Sequence, residues 1–253
     1  MSNNYLPSDY QAFIALSRYA RWLPEENRRE DYGETVSRYI TNVVDTVVPH
    51  SGVGISKEIE DAILSLEVCP SMRAMMTAGK AATRDNTCMY NCAYLSVDDP
   101  KAFDEAMFIL LCGTGVGFSV ERQYVSNLPD VPDVLFDSDT TVVVKDSKEG
   151  WAKAYRQVLS LLWAGEIPKW DVSKVRPAGA KLKTFGGRAS GPAPLVDLFQ
   201  FTIQKFKAAQ GRKLSSVECH DIMCKIGEVV VVGGVRRSAM ISLSNLSDDR
   251  MRH

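Results

Sequence analysis

Two kinds of residue in this sequence could do chemistry: six cysteines, at positions 69, 88, 92, 112, 219 and 224, and three glycine-rich segments. A thiol can act as a nucleophile, a metal ligand or a redox centre. The spacings contain no CxxC pair, and Cys219, His220 and Cys224 fall short of the four ligands at usual spacing that a structural zinc needs, so no metal site is expected. Six cysteines in 253 residues are too few for a disulfide scaffold, and any disulfide would sooner be catalytic than structural. The glycine segments are Gly113-Thr-Gly115-Val-Gly117-Phe118, Phe185-Gly-Gly-Arg-Ala-Ser-Gly-Pro192 and Gly233-Gly234-Val235-Arg236-Arg237-Ser238. Glycine lets backbone N–H groups approach a phosphate or a flat base, and a neighbouring arginine offers a fork to phosphate oxygens. Together they suggest a nucleotide-sized anion, while a turn without a ligand remains the rival reading of any one of them. The first is GxGxG rather than GxGxxG and follows a helix, which argues against a dinucleotide fold binding nicotinamide there. No GxxxxGK[ST] occurs, so a P-loop NTPase is excluded.

These residues must be positioned by the elements around them. Tyr10, Phe13 and Ile14, then Val36, Tyr39, Ile40, Val43 and Val47, then Ile55, Ile59, Ile63 and Leu66 recur at helical spacing, giving a helical region over residues 1–68. Within it, the charged stretch Arg18–Glu30, broken by Pro24, reads as a solvated connection. From Cys69 the texture becomes α/β. Asn91–Val97 suits a strand; Asp98-Asp99-Pro100 can cap a helix bearing Phe103, Met107, Leu110 and Leu111, with Gly113 ending it. Asp146-Ser147-Lys148-Glu149 announces a helix with the stripe Trp151, Ala154, Tyr155, Val158, Leu159 and Leu162. A third runs from Pro194 to near Gly211, and a fourth opens with the box Ser215–Glu218 and reaches about Ile226. The run Val229–Val232 reads as a buried strand.

Composition narrows the function classes. With 45% apolar residues the chain can build a sizeable core. A net charge of −1 with no basic run argues against a nucleic-acid polymer as main partner. No stretch approaches ~18 uninterrupted apolar residues, and the first ten lack a signal-peptide pattern, so a cytoplasmic protein with reduced thiols and no membrane partner is expected.

The segments Tyr19-Ala-Arg-Trp-Leu-Pro-Glu-Glu26, Pro70-Ser-Met-Arg73, Asn91-Cys92, Gly113–Val120, Asp146–Trp151, Arg176-Pro-Ala-Gly179, Phe185–Pro192 and Gly233–Ser238 resemble, in that order, the N-terminal part of adenosylcobalamin-dependent (class II) ribonucleotide reductases, especially the ribonucleoside-triphosphate reductases. The resemblance implies an α/β fold: a helical N-terminal region, then over residues 69–253 the first half of the family's ten-stranded barrel. It implies adenosylcobalamin as cofactor, a ribonucleotide substrate, a dNTP or ATP effector and a thioredoxin-like reductant. A thiyl radical removes the ribose 3′-hydrogen, and two further cysteines supply two electrons and become a disulfide. Cys92 is implied to be one of that pair; Cys88 has no matching role, and Cys69, Cys112, Cys219 and Cys224 are expected to be core thiols. Ser71, Asn91, Gly113, Gly115 and Gly117 are implied at the substrate, with a helix cap as the rival role for Ser71. Asp99, Arg122, Gly234, Arg236 and Arg237 are implied at the effector, with a helix cap as the rival role for Asp99 and the segment 233–239 as the specificity loop.

The family's NxCxE motif, which carries the radical cysteine, does not occur here. The expectation is therefore an N-terminal portion that is inactive alone and that partners the missing C-terminal half of the enzyme. A half barrel should also expose an edge and an apolar face. The rival from another class is a nucleotide-binding module that does no chemistry. A diiron-dependent relative would differ in its radical source, and the matches over Arg18–Glu26 and Phe185–Pro192 favour the cobalamin branch.

Overall fold

The computed structural model describes residues 5–48, 53–181, 188–232 and 239–252. The chain divides into two compact units, residues 1–91 and 92–253, so Cys69, where the sequence texture changes, lies inside the first.

The first unit is helical, as its periodicity implies. Helix α1 (Asp9–Ile14) is capped by Ser8 and runs on into a π-helical turn, Ala15–Tyr19. A two-residue hairpin, β1 (Trp22–Leu23) with β2 (Arg28–Arg29), follows. Helix α2 (Tyr32–Tyr39) opens with a capping box in which Asp31 accepts from the Glu34 N–H at 2.8 Å and Glu34 accepts from the Asp31 N–H at 2.8 Å. A second π-helical turn, Ile40–Val44, leads into α3 (Asp45–Val47), then come α4 (Val53–Leu64), α5 (Met72–Thr77) and α6 (Lys80–Arg84). Val36, Ile40, Val44, Ile63 and Met75 form the core.

The stretch Arg18–Glu30 is not simply a solvated connection. Glu30 is buried and takes an ion pair from Arg38 at 2.8 Å, together with the Arg21 N–H at 2.9 Å. Arg38 also donates to the carbonyls of Tyr19, Met75 and Ala78. A charge run shows its own polarity but not a partner eight residues further on.

The second unit runs β3 (Cys92–Ser96), α7 (Lys101–Leu111), β4 (Gly115–Ser119), α8 (Arg122–Val125), β5 (Phe136–Val143), α9 (Lys148–Trp163), β6 (Glu166–Asp171), α10 (Ala193–Ala208), α11 (Ser216–Val232), β7 (Met240–Leu243) and α12 (Asp249–Arg252). Strands β3, β4 and β7 form a parallel sheet in that order, and β5 and β6 pair in parallel as a separate sheet. Phe103 and Leu110 of α7, Tyr155 and Leu162 of α9, Phe199 of α10 and Ile226 of α11 share one core, in which the Tyr155 and Phe199 rings stack at 6.2 Å.

Local signals act where expected. The Asp99 carboxylate accepts from the Lys101 N–H at 2.8 Å at the start of α7, and Gly113 leaves that helix at φ +82°, a left-handed turn that favours glycine. Ser147 caps α9, and Ser215 with Glu218 forms the box that opens α11.

Three expectations are corrected. Val229–Val232 is the last turn of α11 and not a strand. Cys219, Ile222, Met223, Ile226, Val229 and Val230 lie on one helical stripe in the core, and burial of that stripe overrides the weak strand preference of valine. Gly115 and Gly117 stand inside a strand rather than in a turn, because backbone pairing on both sides holds them extended. Cys112 and Cys219 are core thiols, but Cys69 and Cys224 are exposed: Cys69 precedes α5, and Cys224 lies off the buried stripe of α11.

Candidate active site

One face of the three-stranded sheet carries the candidate chemistry. Alternation along β3 puts Cys92 and Tyr94 on the same side, and the parallel register sets Cys92 beside Gly115 and Tyr94 beside Gly117. Gly117 in turn stands beside Ile241 of β7. Cys92, Tyr94, Ile241 and Leu243 are exposed, whereas Val116 and Phe118 on the opposite face are in the core. The neighbouring side chains close over Gly117. A Cβ on Gly117 would meet Ile241 Cγ2 at 3.3 Å and Tyr94 Cδ2 at 3.7 Å. The result is an exposed thiol on the first residue of β3, beside Gly115 and on the face that carries Tyr94 and Ile241. Sequence reasoning missed Tyr94, Ile241 and Leu243, although the period-two spacing from Cys92 to Tyr94 was a usable signal. Tyr94 also reaches Tyr124, and it raises the Tyr124 phenol by charge repulsion and a hydrogen bond.

The remaining site expectations fall in several places. Gly113 lies just before β4, at the same end of the sheet as Cys92. Asp99 and Arg122 stand at the other end, past the carboxyl ends of β3 and β4, about 16 Å away for a five-residue strand. Asp99 caps α7 and is exposed. Arg122 donates to the Ser247 carbonyl and hydroxyl, and its own N–H donates to Asn245 Oδ1 at 2.7 Å. Ser71 and Asn91 belong to the first unit; both are exposed, and Ser71 occupies the cap position of α5 without a side-chain capping bond. Gly234, Arg236 and Arg237, and the Phe185–Gly187 part of the second glycine segment, lie outside the described residues. Ala239, which follows the first of these, accepts from the Val116 N–H at 2.9 Å as the chain enters β7 at the Cys92 end of the sheet.

Two cavities of the second unit lie elsewhere. One, of about 450 Å³, is lined by α7 and α9 residues including Asp104, Phe108 and Arg156. The other, of about 480 Å³, is lined by Arg122, Lys213, Ser216 and Asp248 among others. Burial raises the Asp104 carboxyl against the pull of Arg156, whose guanidinium it accepts at 2.8 Å. Among the described residues no group of three or more His, Cys, Asp or Glu is placed to hold a metal ion, and no helix is long and apolar enough to cross a membrane.

Known proteins supply the context. Residues 122–205, the segment holding β5, α9 and β6, match a family model described as the insertion domain of B12-dependent ribonucleotide reductase. Over 305 aligned residues the chain is 28% identical to an adenosylcobalamin-dependent ribonucleoside-triphosphate reductase of Levilactobacillus brevis, covering 91% of this chain and 40% of that protein. Over most of its length the chain is similar to B12-dependent ribonucleotide reductases. A second reductase of the same description, from Lactobacillus helveticus, is 29% identical over 90% of this chain and 40% of its own length. The fold is shared with the crystal structure of a B12-dependent (class II) ribonucleotide reductase, at a TM-score of 0.79 and 24% identity over 94% of this chain and 42% of that one. The chain thus spans about 40% of the length of the curated relatives it matches. The α/β fold and the family resemblance read from the sequence are borne out. The insertion-domain match also explains why a separate two-stranded sheet interrupts the barrel-type strands between β4 and β7.

Proposed function

We propose that the chain is part of an adenosylcobalamin-dependent ribonucleoside-triphosphate reductase, working in the cytoplasm, and that Cys92 is one of its two reducing thiols. The observation that carries this reading is the placement of Cys92: an exposed thiol on the first residue of a strand, beside Gly115, at the end of the sheet where Ala239 leads into β7. In the reaction the ribose C2′–OH bond becomes C2′–H and the hydroxyl leaves as water. The two hydrogens come from two thiols, which join as a disulfide, and a thioredoxin-type dithiol restores them by exchange. An accessible Cys92 suits both steps, since it must meet first a sugar and then a protein reductant. The backbone of Gly113–Gly117 is proposed to contact the ribonucleotide, and Asn91 and Ser71 are proposed as substrate residues on the family resemblance alone. Asp99 and Arg122 are proposed for a nucleotide effector, and Gly234, Arg236 and Arg237 for the specificity loop that passes the effector's identity to the substrate.

When bound, adenosylcobalamin supplies the radical that starts the reaction. The open sheet face, with exposed Ile241 and Leu243, is proposed to be covered by the remainder of a barrel.

The test combines this chain with a C-terminal portion bearing the radical cysteine, a ribonucleoside triphosphate, adenosylcobalamin and a dithiol. Deoxyribonucleotide is expected, and Cys92→Ser is expected to abolish dithiol-dependent turnover. Nucleotide binding without any product would leave the non-catalytic binding module instead.

A further inference from the structure

Cys224 was expected to be an inert core thiol, yet it is exposed and has a built environment. It lies one helical turn beyond His220 on α11, with its Sγ 3.4 Å from His220 Nε2. The other ring nitrogen, Nδ1, is 2.9 Å from the Ser242 hydroxyl on β7. The Phe118 ring packs against the imidazole at 5.9 Å between centroids and limits its rotation. Three side chains from two elements thus form a line: an accessible sulfur, a base within reach of it, and a hydroxyl that orients the base. That is the arrangement by which proteins activate a weak nucleophile. With the Nδ1 proton donated to Ser242, Nε2 presents its lone pair to the thiol.

We propose that Cys224 is a reactive thiol, activated by His220 and Ser242, and a modification site for low-molecular-weight disulfides of the glutathione type. The inference does not depend on ribonucleotide reduction, and the site is separate from Cys92: Ser242 alternates with Ile241 and Leu243 and so faces away from the side of the sheet that carries Cys92. Burial, and then the nearby Asp221 carboxylate, raise the Cys224 thiol, so it stays protonated and needs a base to react. In the step, the Sγ proton passes to His220 Nε2 and Sγ bonds to one sulfur of the disulfide. The S–S bond breaks, and the departing thiolate takes the proton from the imidazolium. One thiol and one disulfide become one mixed disulfide and one thiol, with no other oxidant. The adduct would sit eight residues before Val232, about 12 Å along the helix, on the element that runs toward residues 233–238.

The experiment incubates the whole chain with oxidised glutathione and follows adducts by peptide mass spectrometry, with exposed Cys69 of the other unit as an internal reference. Cys224 is expected to react about tenfold faster than Cys69, and His220→Gln to remove the advantage while Cys69 is unchanged. Equal rates at the two cysteines, or an advantage that survives His220→Gln, would overturn the proposal. If far-UV circular dichroism shows that His220→Gln has lost the fold, Ser242→Ala decides. A several-fold slowing at Cys224 supports the relay, and an unchanged rate refutes it.

Discussion

Replacing Arg38 by methionine should destabilise the first unit out of proportion to the side chain's size. The guanidinium lies in a buried junction: its side chain is 14% exposed and that of Glu30 is 7% exposed. It holds the Glu30 carboxylate at 2.8 and 3.0 Å and donates to three carbonyls, Tyr19 at 3.0 Å, Met75 at 2.9 Å and Ala78 at 2.9 Å. One side chain therefore ties the end of the first π-helical turn, α2 and the C-terminal part of α5. Methionine matches the stem but leaves a buried carboxylate with only the Arg21 N–H and the Thr35 hydroxyl, at 2.9 and 3.2 Å. Breaking a buried pair by removing one partner typically costs about 3–5 kcal/mol, because the remaining charge is uncompensated. Three carbonyls would also lose donors, although water entering the gap offsets part of that. A loss near the middle of that range is expected in urea unfolding of the whole chain, with hydrogen exchange showing that protection falls in residues 19–38 and not in the second unit. The double variant Glu30→Leu/Arg38→Met should lose less than the sum of the two single variants, since it removes the orphaned charge. A cost below about 1 kcal/mol for Arg38→Met, or strict additivity in the double variant, would refute the view that this pair organises the Tyr19–Glu26 motif.

The cap of α11 is predicted to be acid-sensitive. Burial works to raise the Glu218 carboxyl, but the Arg212 guanidinium and the hydrogen bonds from Ser215 outweigh it and hold the group at about 2. A depressed carboxylate stabilises fully above its unfolded range near 4.5, and that contribution fades as pH falls toward 2; Glu218→Gln should flatten this part of a stability profile measured by denaturant titration between pH 5 and 2. Gly150→Ala should lower the melting temperature by several degrees, since its Cβ would collide with the Lys145 backbone carbonyl and overpacking costs about 1–3 kcal/mol. Tyr155→Phe should cost only about 1 kcal/mol in the same melts, because Thr202 Oγ1 keeps its bond to the Leu198 carbonyl at 2.8 Å after losing the 2.9 Å contact with the phenol.

Much of this structure was legible where local chemistry decides. Asp99 and Gly113 bracket α7, Ser147 opens α9, and the period-two stretch after Asn91 is β3, because caps, left-handed glycines and alternation act within a few residues. The errors arise where distant packing decides. Four valines look like a strand until the stripe from Cys219 to Val230 is known to be buried along one helix face. Gly115 and Gly117 look like a turn until strands on both sides pair with them. Strand β5 carries Asp137, Ser138, Asp139, Thr140 and Thr141, a run that offers no apolar signal at all. At the candidate site, Cys92 was legible through the family resemblance, whereas the Cys224–His220–Ser242 line joins a helix to a strand and cannot be read from spacing alone.

The three-stranded sheet also explains why the two proposed thiol chemistries can coexist. A parallel sheet is ordinarily covered on both faces, but here the core residues Val116 and Phe118 line only one, and Tyr94 and Ile241 stand more than half exposed on the other. Cys92 lies on that exposed face, beside Gly115 of β4. The chemistry proposed for Cys92 would therefore be sensitive to anything that covers this face. Ser242 points instead to the covered face, where Phe118 and α11 already fix the imidazole. Activation of Cys224 needs nothing beyond the second unit itself. Covering the exposed face of the sheet should change the reactivity of Cys92 far more than that of Cys224, because Cys92 lies on the face that carries Tyr94 and Ile241 whereas Ser242 and His220 are packed on the other.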